Sequence, residues 1–318
     1  MLISKRLMNN VMCPQKLFIV GVGRSGTTLL QSMLNSHPEI CFTPETHFFK
    51  RYIAPNRYKN KGISKQKLQT LLKEDTYFSR LNVSIEEHLE RFSSIISNKD
   101  LVEFFEGILN QYAEQRGKTF VGDKDPMNSN FVNQINHCFP KSYLIHIIRD
   151  PRDVLLSRIR SRWGKNTPIS IHLAEHYFQL DNILNNGKSI FKKRYIEVYY
   201  ERLLENPYKQ LQLICRKLGI EYDNEMLNYH NLSDEIVTKE EKSWKGNVSK
   251  PILRNNKDKW KSGLSKYQVS LVELVLKKYF VLLEYPIKGQ NVLLAFIMQF
   301  YVYLITFIIR LKLNKKVN

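Results

Sequence analysis

Phe18-Ile19-Val20-Gly21-Val22-Gly23-Arg24-Ser25-Gly26-Thr27-Thr28-Leu29-Leu30 is the stretch on which the fold turns. The apolar run over residues 16–21 predicts a short buried strand. A glycine-rich turn follows, and then an apolar helical run, TTLLQSMLN, which ends before His37-Pro38. Such a strand–loop–helix suits an anion. Glycines let successive backbone N–H groups turn toward one point, and the helix adds its positive N-terminal end. Arg24 brings a guanidinium fork, and Ser25, Thr27 and Thr28 bring hydroxyls. An ordinary glycine turn would need none of these. Two familiar loop chemistries fit poorly. Gly21, Gly23 and Gly26 spell the dinucleotide pattern G-x-G-x-x-G, but that loop has no use for R-S-G-T-T. A nucleoside-triphosphate loop needs Lys after its last glycine, where Thr27 stands.

Working outward, KTFVGDK (118–124), SYLIHIIRD (142–150) and YIEVYY (195–200) predict three more strands. The second is apolar almost throughout, as in a parallel sheet covered on both faces. Helical periodicity runs through 84–116, follows Pro151, and returns at about 207–218 and 264–283. Alternating strands and helices predict one α/β domain with a central parallel sheet flanked by helices. Arg24, Lys124 and Arg149 each stand where a predicted strand ends, the edge at which such sheets place ligands. That recurrence points to one shared site.

The chain has 318 residues, 43% hydrophobic and 25% charged, which excludes wholesale disorder. Lys and Arg number 49 against 30 Asp and Glu, a net charge of +19. The excess suits a phosphorylated cofactor, nucleic acid or an anionic membrane. AT-rich coding, which also favours Lys, Asn and Ile, would produce part of it. Cys13, Cys41, Cys138 and Cys215 are far apart and form no C-x-x-C pair, so neither a disulfide framework nor a cysteine metal site is expected. MLISKRLMNNVMCPQ lacks a continuous apolar core of the secretory kind, and a reducing cytoplasm is the expected location.

FIVGVGRSGTTLLQSMLNSHPEI (18–40) resembles the 5′-phosphosulfate loop of sulfotransferases that use 3′-phosphoadenosine 5′-phosphosulfate (PAPS). It is most similar to the R-S-G-T-T-L version of tyrosylprotein sulfotransferases and their bacterial relatives. Cytosolic and heparan-type enzymes usually carry Lys where Arg24 stands. The resemblance implies a fold like that of P-loop kinases, with Arg24, Ser25, Gly26, Thr27 and Thr28 holding the donor. IIRDPRDVLLS (147–157) resembles the family's 3′-phosphate segment, with Arg149 and Ser157 at the matching spacing. Read alone, Arg149, Asp150, Arg152 and Asp153 would be a solvated ion-pair cluster at a helix start. YYERLLENP places Tyr200 where the family has a tyrosine near the adenine. SKPILRNNKDKW places Lys250 and Trp260 in a segment resembling one that closes over the nucleotide. The charge there is dense, with Lys242, Lys245, Lys250, Arg254, Lys257, Lys259 and Lys261 against Glu240, Glu241 and Asp258, and a basic surface strip would look the same.

Sulfuryl transfer to a hydroxyl needs a base for the acceptor proton and cations for the transferring group and the leaving oxygen. Glu45 stands 21 residues after Arg24 and before Thr46, the spacing and neighbour of the family's proposed base. Burial would raise its pKa and a nearby Arg24 or Lys124 would lower it. His47 is a rival base. Lys124 in VGDKDP resembles the lysine of an N-K-D-P segment that acts on the sulfuryl group. Arg24, Lys124 and Glu45 are therefore the expected catalytic groups. No metal is expected. His172-Leu173-Ala174-Glu175-His176 spells a zinc-protease motif, but no third ligand is evident and the stretch reads as helix packing or surface. Gly23 replaces the Pro usual in the tyrosylprotein branch, Pro151 replaces a Gly, and Arg160 and Arg162 flank Ser161 where that branch has a basic residue. These departures leave the donor motifs intact and put peptide-tyrosine specificity in doubt. The expected activity is transfer from PAPS to the hydroxyl of a glycan, a glycolipid or another acceptor. A P-loop-like nucleotide kinase and a non-catalytic, membrane-docked nucleotide-binding protein remain alternatives, and no nucleic-acid partner is expected.

The expected organisation is an N-terminal extension (1–15), a sulfotransferase domain (16–288) with a helical insertion near 60–116, and a tail (289–318). Residues 292–309 carry no charge, and Arg310, Lys312, Lys315 and Lys316 follow. Gln299, Tyr303, Thr306, Arg310 and Asn314 recur as one narrow polar helical stripe. That pattern predicts a helix lying in a membrane interface with the stripe toward anionic headgroups, or else a helix packed on its own domain or a second subunit.

Overall fold

The apolar runs become a parallel sheet, and the central ones are covered on both sides. In a computed structural model, which describes residues 13–54, 62–232, 249–289 and 293–314, five strands form it: β1 (Gln15–Val20), β2 (Ile40–Phe42), β3 (Phe120–Lys124), β4 (Tyr143–Ile148) and β5 (Tyr195–Tyr199). The order is β2-β3-β1-β4-β5, all parallel, as the sequence predicts. Ile19 pairs with Lys124, Val20 with His146 and Ile148 with Tyr199, so the strands end close to one another along one edge. Most of 1–15, Lys242 and Lys245 with Glu240 and Glu241, and Lys315 and Lys316 lie outside the described residues.

The apolar patterns misplace some details. β2 has three residues, too few for any periodicity, and no sequence signal marks it. It pairs with β3 through Phe42 opposite Gly122, where a Cβ would come within 2.1 Å of the Phe42 ring. Only glycine admits that ring so close to the strand. The helix expected over 264–283 breaks at Leu276 into α5 (Lys266–Val275) and a shorter helix, Lys277–Leu282. Three further helices are α1 (Thr27–Asn35), which leaves the loop after β1, α3 (Pro151–Ile159), which leaves the end of β4, and α4 (Ile169–Asn182). The region 62–116 contributes helices Lys65–Lys73, Ile85–Glu90 and α2 (Asn98–Glu114), the last opened by a Ser97–Asp100 capping box.

The tail forms α6 (Leu293–Asn314), which lies along α4 and α5. Its polar stripe faces the domain, as in the alternative of a helix packed on its own domain. Gln299 Nε2 donates to Leu274 O at 2.9 Å, Tyr303 Oη to Val275 O at 3.3 Å, Thr306 is buried, and Arg310 pairs with Asp181. The reason lies in α5. The last-turn carbonyls of a helix keep acceptor capacity, and the donors of α6 use it at Leu274 and Val275. Among the described residues no helix is long and apolar enough to cross a membrane.

Candidate active site

The loop after β1 is tied down before it turns. Ser129 Oγ accepts from Gly21 N–H at 3.1 Å and donates to Gly21 O at 2.9 Å, and Ser25 N–H closes on Val22 O at 2.9 Å. Arg24 and Gly26 then take left-handed backbone angles, φ 83° and 100°. Gly26 also packs under Tyr200, where a Cβ would come within 2.4 Å of the ring. It starts α1 with no side-chain cap on the first-turn N–H groups, and Gly26, Thr27 and Thr28 of that turn line the cleft. Ser25 is buried inside the loop and stands off the cleft wall.

At the end of β4 the R-D-P-R-D segment splits. Arg152 points inward, buried between Asp150 and Glu273 with Trp260 stacked at 3.7 Å. Arg149 points to the cleft. It donates to Arg24 O (3.1 Å) and Asn256 O (3.0 Å) and lies over the Tyr200 ring at 4.4 Å, while its buried Nε has no partner. Arg24 Nε donates to Ser157 Oγ at 3.1 Å. Burial and then the Arg149 charge push the Arg24 pKa down. A buried and a half-buried guanidinium side by side on the cleft, with Asp153 no nearer to Arg149 than 4.0 Å, suit an incoming anion.

The ends of β2 and β3 carry the second cluster. Lys124 is fully buried and pairs with Glu45, and its Nζ stands 3.5 Å from Thr28 Oγ1. Next to them His47 Nδ1 lies 2.6 Å from Asp125 Oδ2. Burial alone would lower the imidazole pKa, but the Asp125 hydrogen bond and charge, with Glu45 and Asp123, outweigh it and raise it. The charged form of His47 is thus favoured relative to a free imidazole, and its Nδ1 is engaged by Asp125. Asp123, buried beneath and close to Asp125, is pushed up to about 6.

One cleft of about 1110 Å³ joins both clusters. Arg24, Gly26, Thr27, Thr28, Glu45, Arg149, Ser157, Tyr200 and Lys250 line it. Lys124 reaches it through Glu45 and Thr28. Sequence reasoning missed Asn256, whose side chain donates to Tyr200 Oη at 2.7 Å while its carbonyl holds Arg149. It also missed the pairing of His47 with Asp125. Neither has a local signal, because each partner comes from a different loop. Trp260 is buried against Arg152 and does not line the cleft. In the H-x-x-E-H stretch, Glu175 pairs with Arg158, His172 is bonded to Arg158 Nε and Gly164 O, and His176 is buried.

Residues 14–224 match the sulfotransferase family. Over 252 residues the chain is 25% identical to protein-tyrosine sulfotransferase A of Caenorhabditis elegans, a match covering 77% of this chain. It spans 60% of that relative's length. The sulfotransferase domain of the Synechococcus PCC 7002 olefin synthase superimposes with a TM-score of 0.58 at 25% identity, over 78% of this chain and 88% of that one. The sulfotransferase domain from the curacin biosynthetic pathway, at 20% identity, shares the fold with a TM-score of 0.59 over 87% and 94%.

Proposed function

The chain belongs to the sulfotransferase family, and from that premise we propose that it moves a sulfuryl group from PAPS to an acceptor hydroxyl. The observation that carries the donor is Arg149. It is a buried cation with a spare N–H, bonded to Arg24 O and beside Ser157, which accepts from Arg24, on the same cleft that the first turn of α1 lines. A cleft with two anion sites matches a nucleotide charged at both its 3′ and 5′ positions. One run of phosphates, as in ATP, would leave one of them unused.

PAPS, when bound, supplies the activated sulfuryl group. The first turn of α1, with Thr27, Thr28 and Arg24, holds its 5′ end, and Arg149 and Ser157 hold the 3′-phosphate. Tyr200 keeps the Arg149 plane in place, and Lys250 closes the cleft wall. Glu45 takes the acceptor proton. Lys124 pairs with Glu45 until donor and acceptor enter, and then serves the transferring oxygens as a buried, preorganised cation. Asp125 fixes His47 on the acceptor side. The acceptor is a glycan, a glycolipid or another hydroxyl compound. Residues 16–288 form the transferase domain, and four free cysteines, two of them buried, suit a reducing cytoplasm.

Thermal unfolding with nucleotides tests this reading. 3′-Phosphoadenosine 5′-phosphate at a hundredfold over its Kd stabilises by about 2.7 kcal/mol and raises Tm. If ATP with Mg²⁺ raises Tm and this nucleotide does not, the donor assignment is wrong.

A further inference from the structure

Helix α6 is amphipathic in reverse. Its polar residues are spent on the domain: Gln299 and Tyr303 on the α5 carbonyls, Arg310 on Asp181, which also accepts from Tyr279 Oη at 2.5 Å. These bonds fix the rotation of the helix. The opposite face is Leu293, Ile297, Phe300, Leu304, Phe307 and Leu311, one stripe at helical spacing over about 27 Å. It is exposed, with Leu293 at 78%, Phe300 at 64% and Phe307 at 58%. Among the described residues, 19 large hydrophobic side chains are exposed, and 13 of them fall between Val281 and Leu311. A soluble surface rarely gathers apolar groups this way unless something covers them.

Charge says what covers them. After Glu284 the chain has no acidic residue, and it has Lys288, Arg310, Lys312, Lys315 and Lys316. A long apolar stripe in a segment whose sequence carries lysines and no acidic residue complements a lipid surface with acyl chains against the stripe and anionic headgroups around it. A helix already bonded to its own domain along one side cannot leave to span the bilayer.

We propose that the outward face of α6 docks the enzyme in the plane of a bilayer bearing anionic headgroups. The contact does not depend on the donor assignment, because it involves neither the cleft nor the sheet edge. The test is sedimentation of the full chain with vesicles of phosphatidylcholine plus phosphatidylglycerol, and with phosphatidylcholine alone. The wild type pellets with the mixed vesicles, less with neutral ones, and less again at high salt. The triple variant Phe300→Ser, Leu304→Ser, Phe307→Ser, whose side chains face away from the domain, binds at least about tenfold more weakly. Its Tm shift with 3′-phosphoadenosine 5′-phosphate stays that of the wild type, which separates lost docking from lost folding. Three results overturn the proposal. The wild type remains in the supernatant with both vesicles, the triple variant pellets as well as the wild type, or light scattering finds a lipid-free dimer that the triple variant dissociates while vesicles fail to bind.

Discussion

Replacing Glu45 with Gln keeps the shape of the side chain and removes its charge. If Glu45 is the base, the acceptor proton has nowhere to go, and kcat falls by about 10²–10⁴, or roughly 2.7–5.4 kcal/mol of barrier. The structure adds a second consequence. Lys124 is about 1% exposed and pairs with Glu45, so Glu45→Gln takes the carboxylate from a buried cation. Removing one partner of a buried pair costs about 3–5 kcal/mol, and the cleft beside Glu45 puts this pair at the lower end. The ligand-free variant should therefore melt several degrees lower. Donor nucleotide should restore more stability to the variant than to the wild type, because a bound anion replaces the lost charge near Lys124. Turnover is read as transfer of radiolabelled sulfuryl from PAPS into acceptor fractions, and stability as Tm with and without nucleotide. Wild-type turnover in Glu45→Gln would refute the base assignment. A lower kcat with no change in ligand-free Tm would refute the claim that the pair holds the resting site together.

Arg149→Ala should weaken 3′-phosphoadenosine 5′-phosphate binding by about 1.5–3 kcal/mol, measured by calorimetry, with little change in kcat at saturating donor; a kcat loss with unaltered affinity would move Arg149 out of the donor site. Gly26→Ala forces a Cβ to 2.4 Å from Tyr200 at φ 100°, so both Tm and nucleotide affinity should fall, and an unperturbed Tm would show that the ring yields without cost. His47 has a raised pKa in the folded protein, so its contribution to stability is complete below its usual value of about 6.5 and is lost as pH rises through the raised one. The stability gap between wild type and His47→Gln, from denaturant titrations, should shrink as pH rises through that window, and a pH-independent gap would rule out the Asp125 pairing as its source.

How much of the fold and site was legible in the sequence depends on how local each feature is. β1 and β4 are buried on both faces, so their apolar runs are continuous, and the loop after β1 carries its glycines and hydroxyls within eight residues. Such features are local and can be read along the chain. β2 could not be read, because three residues hold no period and its place depends on Gly122 of a strand far away in sequence. Asn256 became a site residue only by lying across from both Arg149 and Tyr200.

The tail shows what a helical pattern leaves open. Its stripe of Gln299, Tyr303, Thr306 and Arg310 was legible as a polar face, and a polar face on a surface helix ordinarily meets water. A hydrophobic pattern reports that two faces differ, and nothing in it says which one the rest of the molecule needs. Here the need was set elsewhere, by the acceptor capacity of the last-turn carbonyls of Leu274 and Val275, and by Asp181 on α4. Leaving those groups unmet under a covering helix would cost about 1–3 kcal/mol each. The donors of α6 were therefore drawn inward, and its apolar residues were turned outward as a consequence.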